Sequence, residues 1–513
     1  WTVQAHIIAA GAIATALALA PFAREDGEYS LDVTTLWYLP ITFVALTLYT
    51  ALPMLARKQQ FAGITCIAAF SGAFVSVVYA IDVAGEYYTV AFAALAVVLG
   101  TLAFPAKRAD SAERLPARLG DTLRDAAVGA TGLAAFAAFL VLRAELEPAS
   151  TYQVEAHWFA GISSALVLAF YAIDAFGHRQ RVGVSGVAIA FTALGGSVVY
   201  GLNISAEYYA FGFILPAIAL GTAASWAPRP WVTRLAGEWR GDIIIVARTA
   251  APTGAAIAAL AVLRSSLGTT HTYQLETRWF AAIASALVLA FYLIDAFGQR
   301  ARPAGWGCAL AFTALGGSVV YGLNVSAEYH AFALIAPSIA LGAATRWAPP
   351  RAVSRLAAEW REDMIIFARA ATAAGIAVAL IAAVSGESTA STYHPQFRAF
   401  LPLAFAAAAA FFAIDASGAG RPETSAALLV ALTGAIVSVA YAVDTEAAYY
   451  GAAFAVAGTL FALGGRAWSP NWLDANVRDL FATAAFTVAW LPFEGAYRDM
   501  PRAGAGVHLA AAS

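Results

Sequence analysis

Three aspartates lie inside apolar segments of this chain, in strings that are almost identical. The strings are FYAIDAFG, FYLIDAFG and FFAIDASG, and their aspartates are Asp174, Asp295 and Asp415. Placing a carboxylate in an apolar span costs free energy, and such residues are usually paired with a cation or take part in ion movement. These three carboxylates are therefore candidate ion or proton sites.

A further aspartate stands at the beginning of three other apolar segments, at Asp121, Asp242 and Asp363. The free backbone N–H groups and the dipole of a helix N-terminus both favour a carboxylate at that place. We expect these three residues to cap helices rather than to bind ions.

Two arginines are candidate counter-charges for the intramembrane aspartates. Arg248 and Arg369 each lie six residues beyond a helix-starting aspartate, at a depth similar to that of Asp174, Asp295 and Asp415. Two arginines cannot pair with three aspartates, so at least one carboxylate should lack an arginine. That carboxylate is predicted either to bind a proton or cation, or to extend toward a basic connection between spans.

A second polar set recurs near the opposite ends of the spans. In four related strings a tyrosine is followed three residues later by an aspartate or asparagine. These side chains are predicted to line the outer half of a solute path. The set consists of Tyr79 and Asp82, Tyr200 and Asn203, Tyr321 and Asn324, and Tyr441 and Asp444.

Four glutamates follow this set, each close to aromatic residues: Glu86, Glu207, Glu328 and Glu446. One interpretation is an aromatic belt at the outer membrane interface, accompanied by solvated acids. The other is an acidic and aromatic ring at one depth, which would attract cations or dock a partner. The spacing is compatible with both.

A serine occupies one position in each of the same four strings, with a glycine or alanine four residues before it. Small residues at this spacing allow two helix backbones to approach closely in a membrane. We therefore expect tight helix packing at these positions. The pairs are Gly72 and Ser76, Ala193 and Ser197, Ala314 and Ser318, and Gly434 and Ser438.

Motifs for enzymatic chemistry are missing from the sequence. The seven histidines are scattered, and Cys66 and Cys308 are the only two cysteines, so no metal site is predicted. The chain has neither a glycine-rich nucleotide loop nor a nucleophile elbow. We expect a protein that is not an enzyme and has no catalytic residues; bound lipid or an apolar pigment is the one cofactor class left open.

The elements that must hold these residues follow from composition. Of 513 residues, 61% are hydrophobic and 12% are charged, and the mean hydropathy is +0.70. A soluble protein carries about 25% charged residues, so this is an integral membrane protein. The net charge of −2 provides no basic surface for nucleic acid.

About 20 apolar residues are needed for a helix to cross the bilayer. Stretches of that length recur with short connections, and they predict seventeen transmembrane helices. The predicted spans are 5–22, 36–56, 61–81, 87–105, 121–143, 157–176, 184–203, 208–226, 242–263, 278–297, 305–324, 329–347, 363–384, 398–416, 424–443, 448–465 and 475–492.

Internal repetition organises these spans. The string FTALGGSVVYGLN begins at Phe191 and again at Phe312, an offset of 121 residues, and weaker copies contain Ser76 and Ser438. The predicted fold is an all-α polytopic helical bundle of four parallel tandem four-helix repeats plus one extra C-terminal helix. Its predicted boundaries are 1–105, 106–226, 227–347 and 348–466 for the repeats, and 467–513 for the extra helix and tail.

Charge predicts the orientation of the spans. Arginines such as Arg57, Arg179 and Arg300 fall in one set of connections, whereas Glu86 and Glu207 fall in the other. Short basic connections remain on the cytoplasmic side of a membrane. We expect a prokaryotic cytoplasmic membrane protein with its N-terminus inside and its C-terminus outside.

Two functions fit these features. The first is a transporter or channel for a small cation, proton or solute that uses the recurring intramembrane polar residues. The second is a non-catalytic scaffold subunit of a larger membrane complex, which holds lipids, pigments or partner subunits. The lipid bilayer is the expected partner in both cases, with other membrane subunits or a homo-oligomer as further partners and no nucleic acid.

Overall fold

The computed structural model of the chain consists of helices and short connections. Every secondary-structure element within the described residues is helical. The described residues are 37–81, 84–111, 116, 118–146, 157–178, 180–227, 239–267, 279–348, 359–387, 397–419, 422–443, 448–467, 477–479 and 481–485.

Fifteen α-helices are numbered here in chain order. A π-helical turn, Asp174–His178, directly continues α5, and two 3-10 turns, Ala206–Tyr208 and Ala327–Tyr329, precede α7 and α11. The α-helices are α1 Tyr38–Arg57, α2 Gln60–Ala80, α3 Glu86–Ser111, α4 Leu119–Leu146, α5 Phe159–Ile173, α6 Arg181–Gly201, α7 Tyr209–Trp226, α8 Trp239–Leu267, α9 Phe280–Gln299, α10 Arg302–Leu323, α11 His330–Trp347, α12 Trp360–Glu387, α13 Phe400–Ala419, α14 Pro422–Ala442 and α15 Ala448–Ala467.

These helices fall on fifteen of the seventeen predicted spans. Thirteen of them are long and apolar enough to cross a membrane, so the chain is a multi-spanning membrane protein. Helices α11 and α15 are not among the thirteen. The predicted span 5–22 lies outside the described residues, and 475–492 is described only at 477–479 and 481–485, where it is helical. The described residues therefore support thirteen spanning helices, and the predicted count of seventeen is not confirmed.

The chain divides into two compact units, residues 1–257 and 258–513, with the division inside α8. In the first unit α1 packs against α2, α3 packs against both α4 and α5, and α5 packs against α6. In the second unit α9 packs against α10, α11 packs against both α12 and α13, and α13 packs against α14. Neighbouring helices along the chain thus provide most of the packing within each unit.

Glycine allows α6 and α7 to approach closely. A Cβ atom on Gly195 would clash with the carbonyl oxygen of Gly212 and would lie 2.6 Å from Cγ of Pro216. Gly316 in α10 has the same relation to the carbonyl oxygen of Ala333 in α11. Backbone atoms cannot move aside as a side chain can, so these two glycines set the spacing of their helix pairs.

Serine pairs join two other helix pairs, as the small-residue pattern led us to expect. The Oγ atoms of Ser164 in α5 and Ser197 in α6 lie 2.9 Å apart, and those of Ser285 in α9 and Ser318 in α10 lie 3.0 Å apart. Each pair is a direct interhelical hydrogen bond between small side chains, a contact that brings membrane helices together.

At the equivalent positions of α1 and α2, and of α13 and α14, a phenylalanine faces a glycine. Phe43 replaces the serine of the earlier helix, and its ring lies 2.6 Å from where a Cβ on Gly72 would stand. Phe405 likewise lies directly against Gly434. Each phenylalanine faces a glycine. In the pairs that have Ser164 or Ser285 instead of phenylalanine, the residue at the glycine position is an alanine, such as Ala193. A large side chain on one helix therefore faces the smallest residue on the other, which keeps the contact closely packed.

This exchange predicts how the second unit responds to a matched pair of substitutions. We expect Ser285→Phe alone to destabilise the protein by about 1–3 kcal/mol, because the ring would overpack against Ala314. Adding Ala314→Gly should recover at least half of that loss. Unfolding of the purified variants in mixed detergent micelles measures both values, and additive effects of the two substitutions would show that the positions do not interact.

Candidate functional site

The first intramembrane ion pair lies between α4 and α5. Nε of Arg124 donates to Oδ1 of Asp174 at 2.6 Å, and its Nη2 donates to Oδ2 at 3.0 Å. Asp174 is only 1% exposed. Beside it, a Cβ on Gly183 would lie 2.8 Å from Oδ2, so the glycine makes room for the carboxylate. Both oxygens of Asp174 are thus occupied by one guanidinium, a short and strong arrangement.

The second pair lies between α12 and α13 and has the same geometry. Nε of Arg369 donates to Oδ2 of Asp415 at 2.7 Å, and Nη2 donates to Oδ1 at 3.1 Å. Asp415 is 5% exposed, whereas the arginine is partly exposed at its helix surface. The candidate ion site and the candidate counter-charge are therefore brought together here, as one bidentate pair.

The expectation of an aspartate without an arginine is wrong for Asp174 and for Asp415, each of which is paired. The count overlooked Arg124, which lies three residues beyond Asp121 rather than six. Three residues are close to one helical turn, so either position faces the same neighbouring helix. Asp295, in the second unit, is fully buried, and Arg248, in the first, is half-buried.

Two further ion pairs connect helices at the ends that carry the arginine-rich connections. Arg181, the first residue of α6, donates to both oxygens of Asp242 in α8 at 2.8–3.1 Å. Arg302, the first residue of α10, does the same to Asp363 in α12 at 2.8–3.1 Å. The two aspartates are buried and the two arginines are exposed. The pairs recur 121 residues apart with one geometry.

The predicted capping role of the helix-starting aspartates is wrong at Asp242 and at Asp363. Asp242 and Asp363 are the fourth residues of α8 and α12, and their carboxylates bind arginine. Asp121 is the third residue of α4, and its oxygen lies 3.5 Å from Nζ of Lys107. The helices begin before these aspartates, at residues that the sequence pattern assigned to connections. Their negative charge still lies in the first turn, where the helix dipole favours it.

The pair at the start of α10 belongs to a larger cluster. Nη1 of Arg302 lies 2.6 Å from Oε2 of Glu359, and its guanidinium lies 5.6 Å from the ring centroid of Trp306. The indole of Trp306 also hydrogen-bonds to Asp363. Two carboxylates and an aromatic face therefore surround this guanidinium, which satisfies its charge and its donors.

The outer glutamates are buried, so their interpretation as solvated acids is wrong. Glu86, Glu207 and Glu328 are each 0% exposed. Glu86 is the first residue of α3, and the other two lie in the 3-10 turns before α7 and α11. In all three places the side chain lies inside the protein rather than in water. Glu446 lies outside the described residues.

The outer tyrosines pack against the starts of neighbouring helices. The ring of Tyr200 meets Phe159 edge-on with centroids 6.0 Å apart, and it lies 5.4 Å from the ring of His157. Tyr441 meets Phe400 edge-on at 6.2 Å, and the guanidinium of Arg398 lies 5.9 Å from its ring. Tyr79 and Tyr321 are half-buried. Tyr200 and Tyr441 are thus each packed between a phenylalanine and a nitrogen-containing side chain, a histidine or an arginine.

The asparagines predicted to line the outer half end their helices. Asn203 and Asn324 have φ angles of 49° and 54°, and both side chains are exposed. Their backbone N–H groups donate to the carbonyl oxygens of Tyr200 and Tyr321 at 3.0 and 3.1 Å. Asparagine tolerates this left-handed conformation better than most residues, which explains its presence at the helix end. Asp82 and Asp444 lie outside the described residues.

Other ligand chemistry is sparse in the described ranges. No group of three or more histidine, cysteine or acidic side chains there could hold a metal ion. Two large cavities of the second unit, of about 360 and 830 Å3, have mainly apolar walls. Neither resembles a hydrated ion path, which needs polar groups along its length.

Comparisons with known proteins find no similarity to this chain: no family model, no curated protein and no solved structure matches it. Its function must therefore be inferred from the contacts, burial and charge of its own residues.

Proposed function

We propose that this chain is a non-catalytic membrane scaffold, a bundle of helices whose surfaces hold lipids, pigments or partner subunits. The observation that carries the proposal is the state of the intramembrane carboxylates. Asp174 and Asp415, two of the three candidate ion sites, each have both oxygens bonded to an arginine. Each of these aspartates is held by an arginine of a neighbouring helix, so its charge is already balanced within the protein.

An ion could use either carboxylate only by displacing the guanidinium. A cation that displaced the guanidinium would have to compensate for separating a buried pair, and loss of one partner from such a pair costs about 3–5 kcal/mol in proteins. A carrier would need to recover this free energy in every cycle. A scaffold needs the pairs to remain closed, so the observed geometry suits it better.

The recurring pairs at the helix starts also favour a structural role. Arg181 lies in the predicted segment 106–226 and its partner Asp242 in the segment 227–347, so the pair ties successive segments together. Arg302 and Asp363 do the same for the next two segments. Ion pairs of this kind hold helices of successive segments together, which suits a structural role.

Transport of a proton or small cation is the second candidate. It is favoured by one observation, the complete burial of three glutamates at recurring positions: Glu86, Glu207 and Glu328. Glu86 is the first residue of a candidate span and the other two lie in the turns directly before α7 and α11, so these carboxylates are placed where protons would enter or leave the spans. A transport function would therefore use these residues rather than the paired aspartates.

Purification from native membranes, followed by reconstitution, separates the two functions. The scaffold proposal predicts stoichiometric co-purification of other subunits or of a pigment, and no proton or cation flux in liposomes. Flux that is lost in Glu207→Gln but retained in the exposed control Asp479→Asn would contradict the scaffold and establish transport. Loss of flux in Asp415→Asn would show that the aspartates take part in ion movement, and it would also contradict the scaffold proposal.

A further inference from the structure

A cavity of about 360 Å3 lies among α9, α10, α11 and α12 in the second unit. Its inner wall is formed by Leu289, Cys308, Phe312 and Leu341. Beyond the entrance, the thiol of Cys308 is the only polar group among the lining residues, and it is a weak donor. The inner part of this space therefore suits hydrocarbon and gives a polar solute nothing to bind.

The two ends of the cavity differ in polarity. Arg302, Trp360 and Asp363 line one end, where α10 and α12 begin. Phe312 lies ten residues along α10 from Arg302, a distance of about 15 Å at 1.5 Å per residue. The cavity thus runs from the charged ends of two helices into the apolar middle of their spans, as an amphipathic slot.

A glycine keeps the slot open. A Cβ on Gly305 would meet one atom within 4 Å, Cε of Met364 at 4.0 Å. The equivalent residues of α6, 121 positions earlier, are Val184 for Gly305 and Val187 for Cys308. The chain therefore has smaller side chains at this place than at the matching place in the first unit, and the space they leave is part of the cavity.

The slot opens on the apolar surface of a candidate span, so we expect lipid at its mouth. Leu293 and Phe297 line it and are 42% and 44% exposed, and both lie in the candidate span Phe280–Gln299. At the charged end, Arg302 is already bonded to Asp363 and Glu359, so this entrance does not require an anionic ligand. The neighbouring indoles are the residues that accompany lipid head groups at membrane interfaces.

We propose that this cavity binds one hydrocarbon chain of a bilayer phospholipid, with the head group at the level of Arg302 and Trp306. The volume lies within the range of small-molecule sites, about 300–1,000 Å3. The apolar inner part of the cavity fits a hydrocarbon chain, and the charged end fits the part of a phospholipid near its head group. The opening lies on the apolar surface of a candidate span, where bilayer lipid is expected. This inference does not depend on the scaffold role, because a transporter could hold a lipid in the same place.

Photocrosslinking in nanodiscs tests the site with the full chain. The probe is a phosphatidylcholine that carries a diazirine in one acyl chain, and the crosslinked peptides are mapped by mass spectrometry. We expect crosslinks to concentrate in residues 289–312, and Gly305→Val, which copies Val184, to reduce them at least fivefold. The matched control is Gly317→Val in the same helix, where a Cβ would meet no atom within 4 Å. Equal crosslinking in Gly305→Val and the control would overturn the proposal.

Alkylation of Cys308 provides a second measurement that needs no cavity-filling variant. Cys308 is 6% exposed, so N-ethylmaleimide should react with it slowly in detergent in a Cys66→Ala background, and added phosphatidylcholine should slow the reaction at least threefold further. Protection by a free fatty acid but not by phosphatidylcholine would overturn the assignment to a phospholipid. An unchanged rate with both lipids would overturn the site itself.

Discussion

Arg369→Met should destabilise the protein by about 3–5 kcal/mol, because it leaves the buried carboxylate of Asp415 without its cation. The side chain of Asp415 is 3% exposed, so water cannot replace the two lost hydrogen bonds. Methionine keeps most of the arginine stem, which limits the effect of lost packing. Unfolding of the purified protein in mixed micelles, followed by circular dichroism, measures the free energy of unfolding.

Two control variants make this result specific. Arg361→Met removes an exposed arginine from the same helix, one that lies 5.6 Å from the ring of Trp360, and should cost no more than about 1 kcal/mol. The double variant Arg369→Met and Asp415→Leu removes both charges and should regain most of the stability, since apolar replacement of a complete buried pair is often neutral. A single variant that unfolds like the wild type would show that the pair contributes no stability.

The second large effect is expected at neighbouring glycines of α10. Gly316→Ala should destabilise the protein by about 1–3 kcal/mol, because the new methyl group would clash with a backbone carbonyl of α11. Gly317→Ala should instead stabilise it by about 0.5–1 kcal/mol, since no atom lies within 4 Å of the new Cβ and alanine favours a helix. The same unfolding measurement applies to both variants.

The first unit offers an independent copy of this comparison. Gly195→Ala should behave as Gly316→Ala does, whereas a Cβ on Gly196 meets the ring of Phe213 at an ordinary 3.6 Å and should be tolerated. If both members of either glycine pair changed stability alike, the close approach of the helices would not be what these glycines provide.

The positions of the helices could be predicted well from the sequence, because apolar length alone determines a span in a bilayer. Helix α6, Arg181–Gly201, and the predicted span 184–203 differ by two or three residues at each end. The starts of α8 and α12 were predicted too late, at Asp242 and Asp363. Hydropathy placed the charged first turn of each helix outside the span, although its backbone is already helical.

The pairing of the charges could be predicted only in part. Comparison of equivalent positions found Arg369 but missed Arg124, because a guanidinium can reach the same neighbouring helix from positions one turn apart. Arg124 could have been found by asking which residues of α4 lie on the helix face that Arg369 occupies in α12. Its distance along the chain from Asp121 differs from that of Arg369 from Asp363, so the exact offset did not identify it. Contacts between helices depend on such faces, and a linear alignment does not show them.

Burial of the outer glutamates could not be read from the sequence either. Glu207 lies among tyrosines near the end of a span, a pattern that fits both an exposed loop and a buried turn. The structure places it in the 3-10 turn before α7, where it is 0% exposed. Composition indicates which residues lie near the interface, but packing decides which of them meet water, because Glu86 is buried as well without a 3-10 turn.

The order of the charges along the chain has a consequence for how the protein is made. Each of the four bidentate pairs joins residues only 46–61 positions apart, and in each the arginine precedes the aspartate. A ribosome therefore produces the cation, whose long side chain can reach water from a membrane, before the carboxylate that must be buried. None of these four acids enters the bilayer ahead of its partner, so insertion can proceed helix by helix without stranding a negative charge in lipid.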